Sequence, residues 1–296
     1  MTLVATLIAN PQTRLLSPEL VEMARASVGA TEIVWLGEGI SCDLPLAEGA
    51  SKRMCTNALR SVTEDKPIDF AIQEAATRRK SVLIADMDST MIDQECIDEL
   101  AAEVGLKEKV SEITARAMNG EIEFEPAVHE RVALLEGLDL SVVDTIIENR
   151  ITLASGGKTL VQTMKANGGY SALVSGGFTM FTSRIAEMLG FDENRANILE
   201  EENGALTGKV RLPVLGAEAK VDALNDIASA KGLTAEDFIA VGDGANDLPM
   251  LKLAGTGVAL HAKPTVAAEA EIEINHGDLT SLLYLQGYRE GELVHG

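Results

Sequence analysis

Two aspartates, Asp86 and Asp88, are the sequence feature with the clearest chemical meaning. They come directly after Ser81–Ala85, a nearly continuous apolar run of the kind found in buried parallel strands. Residues i and i+2 of an extended chain point to the same side, so the two carboxylates share one face. Adjacent carboxylates repel each other unless a cation or a shared proton offsets their charge, so the pair indicates a metal or acid–base site. Taken alone, it is also consistent with a strand-end turn capped by an aspartate.

A second acidic segment follows another apolar run, Phe238–Val241. Asp243 stands between two glycines, which let the backbone approach a ligand closely, and Asp247 adds a carboxylate four residues later. Mg²⁺ prefers a few carboxylates together with waters and phosphate oxygens, so the segment suits a magnesium site. It lacks the third glycine of a dinucleotide-binding fingerprint. The alternative interpretation is an Asp-Gly turn followed by a capped helix.

A possible anion site follows a third apolar run, Ser171–Val174, where Ser175 precedes Gly176 and Gly177. A hydroxyl beside exposed backbone amides at the start of a helix can bind an anion. The segment has no G-x-S-x-G frame, so it is not the nucleophile elbow of a serine hydrolase. On its own, a plain turn is the simpler interpretation.

Two lysines are candidates for binding phosphate. Lys158 follows two glycines and resembles the end of a P-loop, but the first glycine of that motif would fall on Thr152, so the P-loop interpretation fails. Lys158 is then a surface residue at a helix start. Lys220 begins the helix that leads to the Phe238 strand, so it can point toward the same edge of the sheet, and we predict it as the phosphate lysine.

Alternating strands and helices place these segments at one edge of a doubly wound parallel sheet. In such sheets, ligands bind outside the carboxyl ends of the strands. Four apolar runs are predicted strands, and three amphipathic segments that end near glycines are predicted helices. The strands are Ser81–Ala85, Ser171–Val174, Phe238–Val241 and Gly257–Leu260, and the helices are Lys158–Ala166, Thr179–Leu189 and Val221–Ala230.

Two insertions interrupt this alternation. The stretch Cys96–Thr152 has helical periodicity and no strand pattern, and it is too long for one crossover, so we predict a helical cap at about residues 97–152. The Asn203-Gly204 pair within Asn197–Arg211 is a hairpin signal and predicts a small β-flap.

The first 78 residues form a different pattern, with elements in the order strand, helix, strand, strand, helix, strand. This order predicts a ferredoxin-like α+β domain, and the segment contains no catalytic constellation. Charge changes near the same boundary, since residues 1–80 carry 9 basic and 10 acidic residues whereas residues 81–296 carry 16 and 36. We therefore predict one domain at residues 1–78 and another at residues 79–296.

Composition narrows the function classes. A formal charge of −21 argues against nucleic acid as a partner, because binding to its phosphates depends on Lys and Arg. No run approaches the roughly 18 apolar residues of a membrane helix, and Met1–Asn10 shows no signal-peptide pattern. Three widely spaced cysteines, Cys42, Cys55 and Cys96, indicate neither a disulfide framework nor a zinc site. We expect no nucleic-acid or membrane partner and a cytoplasmic location.

Taken together, the four segments that carry the candidate reactive and phosphate-binding residues resemble the haloacid dehalogenase superfamily of phosphotransferases. The resemblance extends over residues 81 to about 265. Its nucleophile motif D-x-D-x-T matches Asp86–Thr90, and its strand-end Ser/Thr matches Ser175. Its helix-borne lysine matches Lys220, and its acidic G-D-x-x-x-D motif matches Gly242–Asp247. The resemblance implies an α/β fold with a Rossmann-like doubly wound parallel sheet and a helical cap, and Mg²⁺ as the cofactor.

A closer resemblance is to the phosphoserine phosphatase family. Its opening segment matches Asp86–Ala101, and its A-M-x-G-x-x-x-F stretch matches Ala117–Phe124. Glu95 falls where that family contacts the substrate's amino group, and Arg131 falls where it binds the substrate's carboxylate. Without the resemblance, Phe124 would be interpreted as a residue of a helix core, and Arg131 as an exposed residue that forms a salt bridge on a helix. The N-terminal domain resembles the amino-acid-sensing ACT fold in its order of elements.

The resemblance also implies a role for each residue. Asp86 is the nucleophile and forms a phospho-aspartate, while Asp88 is the general acid and base. Mg²⁺ is bound by Asp86, Asp243 and the backbone carbonyl of Asp88, and Asp247 orients Lys220 or a metal-bound water. Ser175 and Lys220 stabilise the phosphoryl oxygens. The implied substrate-binding residues are Glu95, Met118, Phe124, Arg131, Ser175, Gly176, Lys220 and Asn246.

The activity that the resemblance implies is Mg²⁺-dependent hydrolysis of O-phosphoserine to serine and phosphate, the last step of serine biosynthesis. Three alternatives stay open: a phosphatase for another small phosphomonoester, a signalling receiver phosphorylated on aspartate, and an amino-acid sensor. Asp88 and the cap argue against a receiver, which needs neither. A homodimer and an amino-acid effector at the N-terminal domain are further expectations.

Overall fold

The computed structural model describes residues 2–118 and 121–295, with the backbone alone for Met118. The N-terminal unit forms a four-stranded antiparallel sheet in the order β2-β3-β1-β4, as a ferredoxin-like pattern requires. Its first helix begins at Pro18 after a Ser17 cap and ends at Gly29, which adopts a left-handed conformation. Its elements are β1 Leu3–Ala9, α1 Pro18–Val28, β2 Val34–Gly37, β3 Ser41–Pro45, α2 Lys52–Thr63 and β4 Ile68–Glu74.

The two faces of this sheet are both covered. Because side chains alternate along a strand, Ala5 and Leu7 of β1 point to one face and pack with α1 and α2. Ile8 points to the other face, where it joins Ile40, Ala71 and the buried core of the second unit. The N-terminal sheet therefore lies between its own helices and the rest of the protein.

The second unit is a six-stranded parallel sheet in the order β12-β11-β10-β5-β6-β7, with helices packed against it. The predicted α/β fold class is confirmed. The elements are β5 Val82–Ala85, α3 Cys96–Glu103, α4 Lys107–Met118, α5 Phe124–Ala133, α6 Ser141–Asn149, α7 Gly157–Ala166, β6 Tyr170–Phe178, α8 Thr179–Leu189, β7 Glu193–Asn197, β8 Leu199–Glu202, β9 Ala205–Val210, α9 Ala217–Lys231, β10 Phe238–Gly242, α10 Leu248–Leu253, β11 Thr256–Leu260, α11 Pro264–Ala267, β12 Ile272–Ile274 and α12 Ser281–Leu285.

Helices α3 to α6 fill the insertion between β5 and β6, so the predicted helical cap is present. The flap is present too, as the antiparallel pair β8 and β9. Asn203 and Gly204 both have positive φ, 53° and 82°, as a tight two-residue hairpin turn requires. Backbone hydrogen bonds join the flap to the cap, since Gly137 donates to Leu206 and Leu206 donates to Leu138.

Buried polar contacts fix the N-terminal unit to the second unit. The Asp69 carboxylate in β4 accepts hydrogen bonds from the backbone amides of Asn275, His276 and Gly277 at 2.8–3.0 Å. Within the N-terminal unit, Arg78 binds both carboxylate oxygens of Asp43 in β3, at 2.9 and 2.6 Å. The division of the chain at residues 78 and 79, and the exact limits of the cap, stay predictions.

In the described part of the chain, no helix combines the length and apolar character needed to span a membrane.

Candidate active site

The four segments that carry the predicted reactive and phosphate-binding residues meet at the carboxyl ends of β5, β6 and β10. These three strands are neighbours in the sheet. A cavity of about 390 Å³ opens there between the sheet and the cap. Predicted site residues line it from the sheet side and from the cap side, and they include Asp86, Asp88, Glu95, Phe124, Arg131, Ser175, Gly176, Asp243 and Asn246.

Lys220, in the first turns of α9, is only 1% exposed. Its Nζ lies 2.6 Å from Oδ1 of Asp86 and 2.5 Å from Oδ1 of Asp247. Burial lowers the pKa of Lys220, but the charges of Asp247 and Asp86 outweigh it and raise the pKa above its ordinary value. The lysine is therefore a permanent cation beside the predicted nucleophile, and its predicted place in the site is supported by this geometry.

Asp247 is completely buried under the loop that carries Asp243. Its Oδ2 accepts a hydrogen bond from the Gly244 amide at 2.9 Å, while its Oδ1 binds Lys220. A Cβ atom on Gly242 would lie 2.3 Å from Cγ of Asp247, so only glycine allows the carboxylate to pack there. Asp247 thus contacts Lys220, as one of the two roles predicted for it requires, and that role stays a prediction.

Carboxylate oxygens of Asp86, Asp243 and Asp247 come within 4.8 Å of one another. Burial and the charge of Asp247 raise the pKa of Asp86, and Lys220 only partly opposes them. Burial, and then Asp247, raise the pKa of Asp243 to about 6. Three carboxylates outnumber the two lysine ammonium groups near them, Lys220 and the more exposed Lys263, and oxygen donors are what a hard divalent cation prefers, so these residues fit a metal ion.

Asp88 lies apart from this carboxylate group. Its Oδ1 accepts a hydrogen bond from the Cys96 amide at 3.0 Å, which fixes the side chain at the start of the cap. A Cβ on Gly177 would lie 2.8 Å from Asp88 Oδ2, so glycine is needed for the close approach. Burial, and then the charge of Glu95, raise the pKa of Asp88 to about 7. Its predicted metal contact, through the backbone carbonyl, stays a prediction.

Residues Ser175–Gly177, near the C-terminal end of β6, form a bulged segment that we call the cradle. The pairing of β6 with β7 shifts between Val174 and Phe178, so the cradle bulges out of the sheet. The Ser175 hydroxyl accepts a hydrogen bond from the Gly177 amide at 2.8 Å. The bulge turns the cradle toward the cavity beside Asp88, which is the predicted position of the anion-binding site.

The cap supplies the other end of the cavity. Ser89, whose backbone is left-handed at φ 54°, donates a 2.7 Å hydrogen bond to Oε1 of Glu95. Arg131 donates from Nη1 to Thr114 at 3.0 Å and from Nε to the Ala127 carbonyl at 3.1 Å. Burial lowers the pKa of Arg131, and the charges of Glu95 and other nearby carboxylates oppose the shift.

The remaining predicted substrate residues divide into two groups. The Phe124 ring begins α5 and packs over Gly176 and Gly216, while Asn246 lines the cavity from the acidic loop. The side chain of Met118, by contrast, falls outside the described residues.

Sequence reasoning missed two residues of this region. Lys263 lines the cavity, and its Nζ lies 4.0 Å from Oδ2 of Asp243. It follows β11, so the pattern that revealed the other sites, a polar residue after an apolar run, could have found it. Asn197 donates a hydrogen bond to a backbone carbonyl of the cradle. It is the last residue of β7, a strand that was not predicted from the sequence.

Comparison with known proteins agrees with this geometry. The model of the haloacid dehalogenase-like hydrolase family matches residues 83–252. A Streptomyces coelicolor protein named phosphoserine phosphatase is 42% identical over 228 residues, 76% of this chain. The chain spans only 55% of the length of that relative.

Two solved structures are also similar. A haloacid dehalogenase family hydrolase from Salmonella enterica serovar Typhi is 31% identical, with a TM-score of 0.85 over 96% of this chain and 98% of the other. A phosphoserine phosphatase solved as an analogue of its phospho-aspartyl intermediate is 41% identical, with a TM-score of 0.65 over 70% of this chain and 98% of the other. The family motifs and the matched fold therefore agree, and the chain belongs to the haloacid dehalogenase-like hydrolases.

Proposed function

We propose that this chain hydrolyses O-phosphoserine to serine and phosphate, with Mg²⁺ and through a phospho-aspartate on Asp86. The observation that carries the proposal is the cavity, whose two ends complement the two ends of phosphoserine. Asp86, Lys220 and the cradle lie at the sheet end, while Glu95 and Arg131 lie at the cap end. The names of the similar proteins support the same substrate.

The first half-reaction uses both aspartates of the D-x-D motif. An oxygen of Asp86 attacks phosphorus, forming an aspartyl–phosphate bond as the bond from phosphorus to the serine oxygen breaks. Asp88, whose raised pKa of about 7 lets it hold a proton near neutrality, gives that proton to the departing serine oxygen. In the second half, Asp88 takes a proton from the water that attacks phosphorus, and Asp86 leaves as a carboxylate.

The phosphoryl group must be stabilised while charge shifts among its oxygens. Lys220 supplies a fixed positive charge, and the cradle supplies backbone amides and the Ser175 hydroxyl. Asp86 and Asp243 would hold Mg²⁺, together with the predicted carbonyl of Asp88. When bound, the metal supplies positive charge that offsets the repulsion between the carboxylates and the phosphate.

Recognition of serine would take place at the cap. The substrate ammonium pairs with the Glu95 carboxylate, and the substrate carboxylate pairs with the Arg131 guanidinium, which can bind it with two parallel hydrogen bonds. Packing of Phe124 against the cradle closes the cavity above the phosphate. A role in serine biosynthesis, a cytoplasmic location, a homodimer and an amino-acid effector at the N-terminal unit are further parts of the proposal.

Phosphate release from a panel of substrates tests the proposal. O-phosphoserine, phosphothreonine and several sugar phosphates are compared with and without Mg²⁺, using chelator-treated enzyme. We expect the highest kcat/KM for phosphoserine, loss of activity in chelator, and recovery on adding Mg²⁺. A sugar phosphate hydrolysed with a higher kcat/KM would instead support the alternative, a phosphatase for another small phosphomonoester.

A further inference from the structure

Asn197, the last residue of β7, is buried behind the active site with 1% of its surface exposed. Its side chain makes three hydrogen bonds, all to backbone groups. Nδ2 donates to the carbonyls of Gly176 at 2.8 Å and Leu215 at 3.1 Å, and Oδ1 accepts from the Leu215 amide at 2.7 Å. It therefore joins two segments that are distant in the sequence and that both enter the site.

The first segment is the cradle. Its bulge removes Gly176 from the regular pairing of β6 with β7, so the Gly176 carbonyl needs another partner, which Asn197 provides. The same peptide unit carries the Gly177 amide, which donates to the Ser175 hydroxyl. The peptide plane between Gly176 and Gly177 is thus held at both ends, and its orientation sets where the cradle amides point.

The second segment leads into the helix of the phosphate lysine. Leu215 is followed by Gly216, the N-terminal cap of α9, and Lys220 lies one turn further along. Asn197 binds both the amide and the carbonyl of Leu215, so it fixes the backbone where the chain enters this helix. A rotation of that entry would move Lys220 relative to Asp86.

We propose that Asn197 is a positioning residue that holds the cradle and the Lys220 helix at one spacing around the phosphoryl group. The inference rests on the proposed phosphatase chemistry but not on the identity of the substrate. Asn197 acts at the phosphate end of the cavity, away from Glu95 and Arg131. Its loss therefore slows hydrolysis of every phosphomonoester by the same factor.

The test is Asn197→Asp, which keeps the shape and the acceptor for Leu215 but directs an oxygen at the two carbonyls instead of an amide. Displacing phosphate-binding groups by about 1 Å can cost roughly 100-fold in rate. We expect kcat/KM to fall about 100-fold for both O-phosphoserine and p-nitrophenyl phosphate, mainly through kcat. The matched control is Asn194→Asp on the same strand, where Oδ1 accepts a 2.9 Å hydrogen bond from the Thr182 hydroxyl, a bond that aspartate can also accept. That variant should keep wild-type kinetics.

Turnover is measured at 25 °C and expressed per folded molecule, with the folded fraction taken from circular dichroism. A purely structural asparagine would lower Tm and leave this value unchanged. If Asn197→Asp does not fold, turnover per folded molecule is measured for Asn197→Ser instead. The small serine hydroxyl leaves room for a water molecule beside the two carbonyls. We expect an equal loss of about tenfold on both substrates for that variant, since a well-placed water replaces part of the lost bonding.

Two results would overturn the inference: a folded variant with turnover within threefold of wild type, or a loss confined to phosphoserine. The proposed function fails in a different way. If the wild-type protein hydrolyses p-nitrophenyl phosphate but not phosphoserine, the substrate assignment is wrong, and the comparison of variants on p-nitrophenyl phosphate still decides the role of Asn197.

Discussion

The Nζ atom of Lys220 lies 2.6 Å from Oδ1 of Asp86, and both side chains are almost completely buried. Removing one member of a buried ion pair leaves the other uncompensated, which costs far more than losing a surface pair. Lys220 has a second partner, Asp247, whereas Asp86 has Lys220 as its ion-pair partner among the described residues. The two residues should therefore respond differently to neutral substitutions.

Asp86→Asn should abolish turnover and leave the fold intact. The amide has the shape of the carboxylate but is not a nucleophile, and Lys220 keeps its bond to Asp247. We expect kcat to fall by at least about 10⁴-fold, as for other enzymes that lose a nucleophile. The measurement is phosphate release together with Tm, and labelled phosphoryl trapped on any residue other than Asp86 would contradict the assignment.

Lys220→Met should lose both activity and stability. It leaves the carboxylates of Asp86 and Asp247 buried without their cation, at a cost of about 3–5 kcal/mol in the free energy of unfolding. Denaturant titration of chelator-treated protein measures this cost. Lys158→Met, at the exposed start of α7, is the control and should change the free energy of unfolding by less than about 0.5 kcal/mol. Equal free energies of unfolding for the two variants would show that the buried ion pairs do not contribute to stability.

The sequence predicted the catalytic edge of the sheet well, for a physical reason. Buried parallel strands are continuous apolar runs, and the polar residues that end them, such as Asp86, Ser175 and Asp243, are visible against that background. The edge strands gave no such signal, because β7 is the polar segment Glu193–Asn197 and β12 has three residues. Asn197 was missed along with its strand.

Contacts between the two units could not be predicted from local patterns. Asp69 lies in a weakly alternating segment, where an aspartate is ordinarily a solvent-facing strand residue. Its partners are three backbone amides more than 200 residues away, and no property of those residue types marks them. Only the three-dimensional packing of β4 against the loop after β12 explains its burial.

Glu95 and Arg131 should control which substrate is chosen. Replacing either with alanine leaves one charge of phosphoserine unpaired in a closed site, at a cost of about 2–5 kcal/mol. That corresponds to roughly 30- to several-thousand-fold in kcat/KM. p-Nitrophenyl phosphate has neither the ammonium nor the carboxylate, so its hydrolysis should change little. Steady-state kinetics on both substrates measures the difference.

The control for this pair of variants is Arg116→Ala, which removes another cap arginine that does not line the cavity. It should leave kcat/KM for both substrates unchanged. Equal losses on the two substrates in Glu95→Ala and Arg131→Ala would mean that these residues support the cap structurally. The phosphoserine assignment would then lose its main physical support.

Deleting residues 1–78 should leave a folded, metal-dependent phosphatase of reduced stability. Every matched motif lies beyond that point, and the 41% identical phosphoserine phosphatase structure aligns to 70% of this chain. The deletion would expose the core surface now covered by Ile8, Ile40 and Ala71, which lowers stability. Circular dichroism and kcat/KM measure the outcome, and a folded but inactive truncation would show that the N-terminal unit helps to build the site.

Asp69→Asn in the full chain isolates the contact between the units. The amide keeps the shape but has one acceptor oxygen where the carboxylate has two, so its NH₂ group faces at least one of the three backbone amides and that hydrogen bond, of a kind worth about 1.5–3 kcal/mol, is lost. We expect a lower Tm with unchanged kcat/KM for the folded protein. A fall in kcat/KM at unchanged Tm would instead indicate that this contact transmits a signal to the active site.

Metal binding should depend on pH in a direction set by the raised pKa values of the two predicted carboxylate ligands, Asp86 and Asp243, the latter at about 6. An unfolded aspartate titrates near 3.9, so between about pH 4 and 6 the metal-free folded state holds more protons than the unfolded state. Stability from these groups is then complete below about pH 4 and is lost as pH rises through their raised folded-state pKa values. A divalent cation binds the ionised carboxylates, so its stabilising effect should grow over the same interval.

Thermal melts with chelator or with excess MgCl₂, at pH 5 and at pH 8, measure this coupling. Metal at 100 times its Kd adds about 2.7 kcal/mol of stability. For a domain of this size that corresponds to a rise of about 5–10 °C in Tm, which we expect at pH 8 and not at pH 5. Asp243→Asn removes one predicted ligand and should abolish the rise at pH 8. An equal Mg²⁺ effect at both pH values would mean that the metal does not bind at these carboxylates, because protonation at pH 5 would otherwise compete with it.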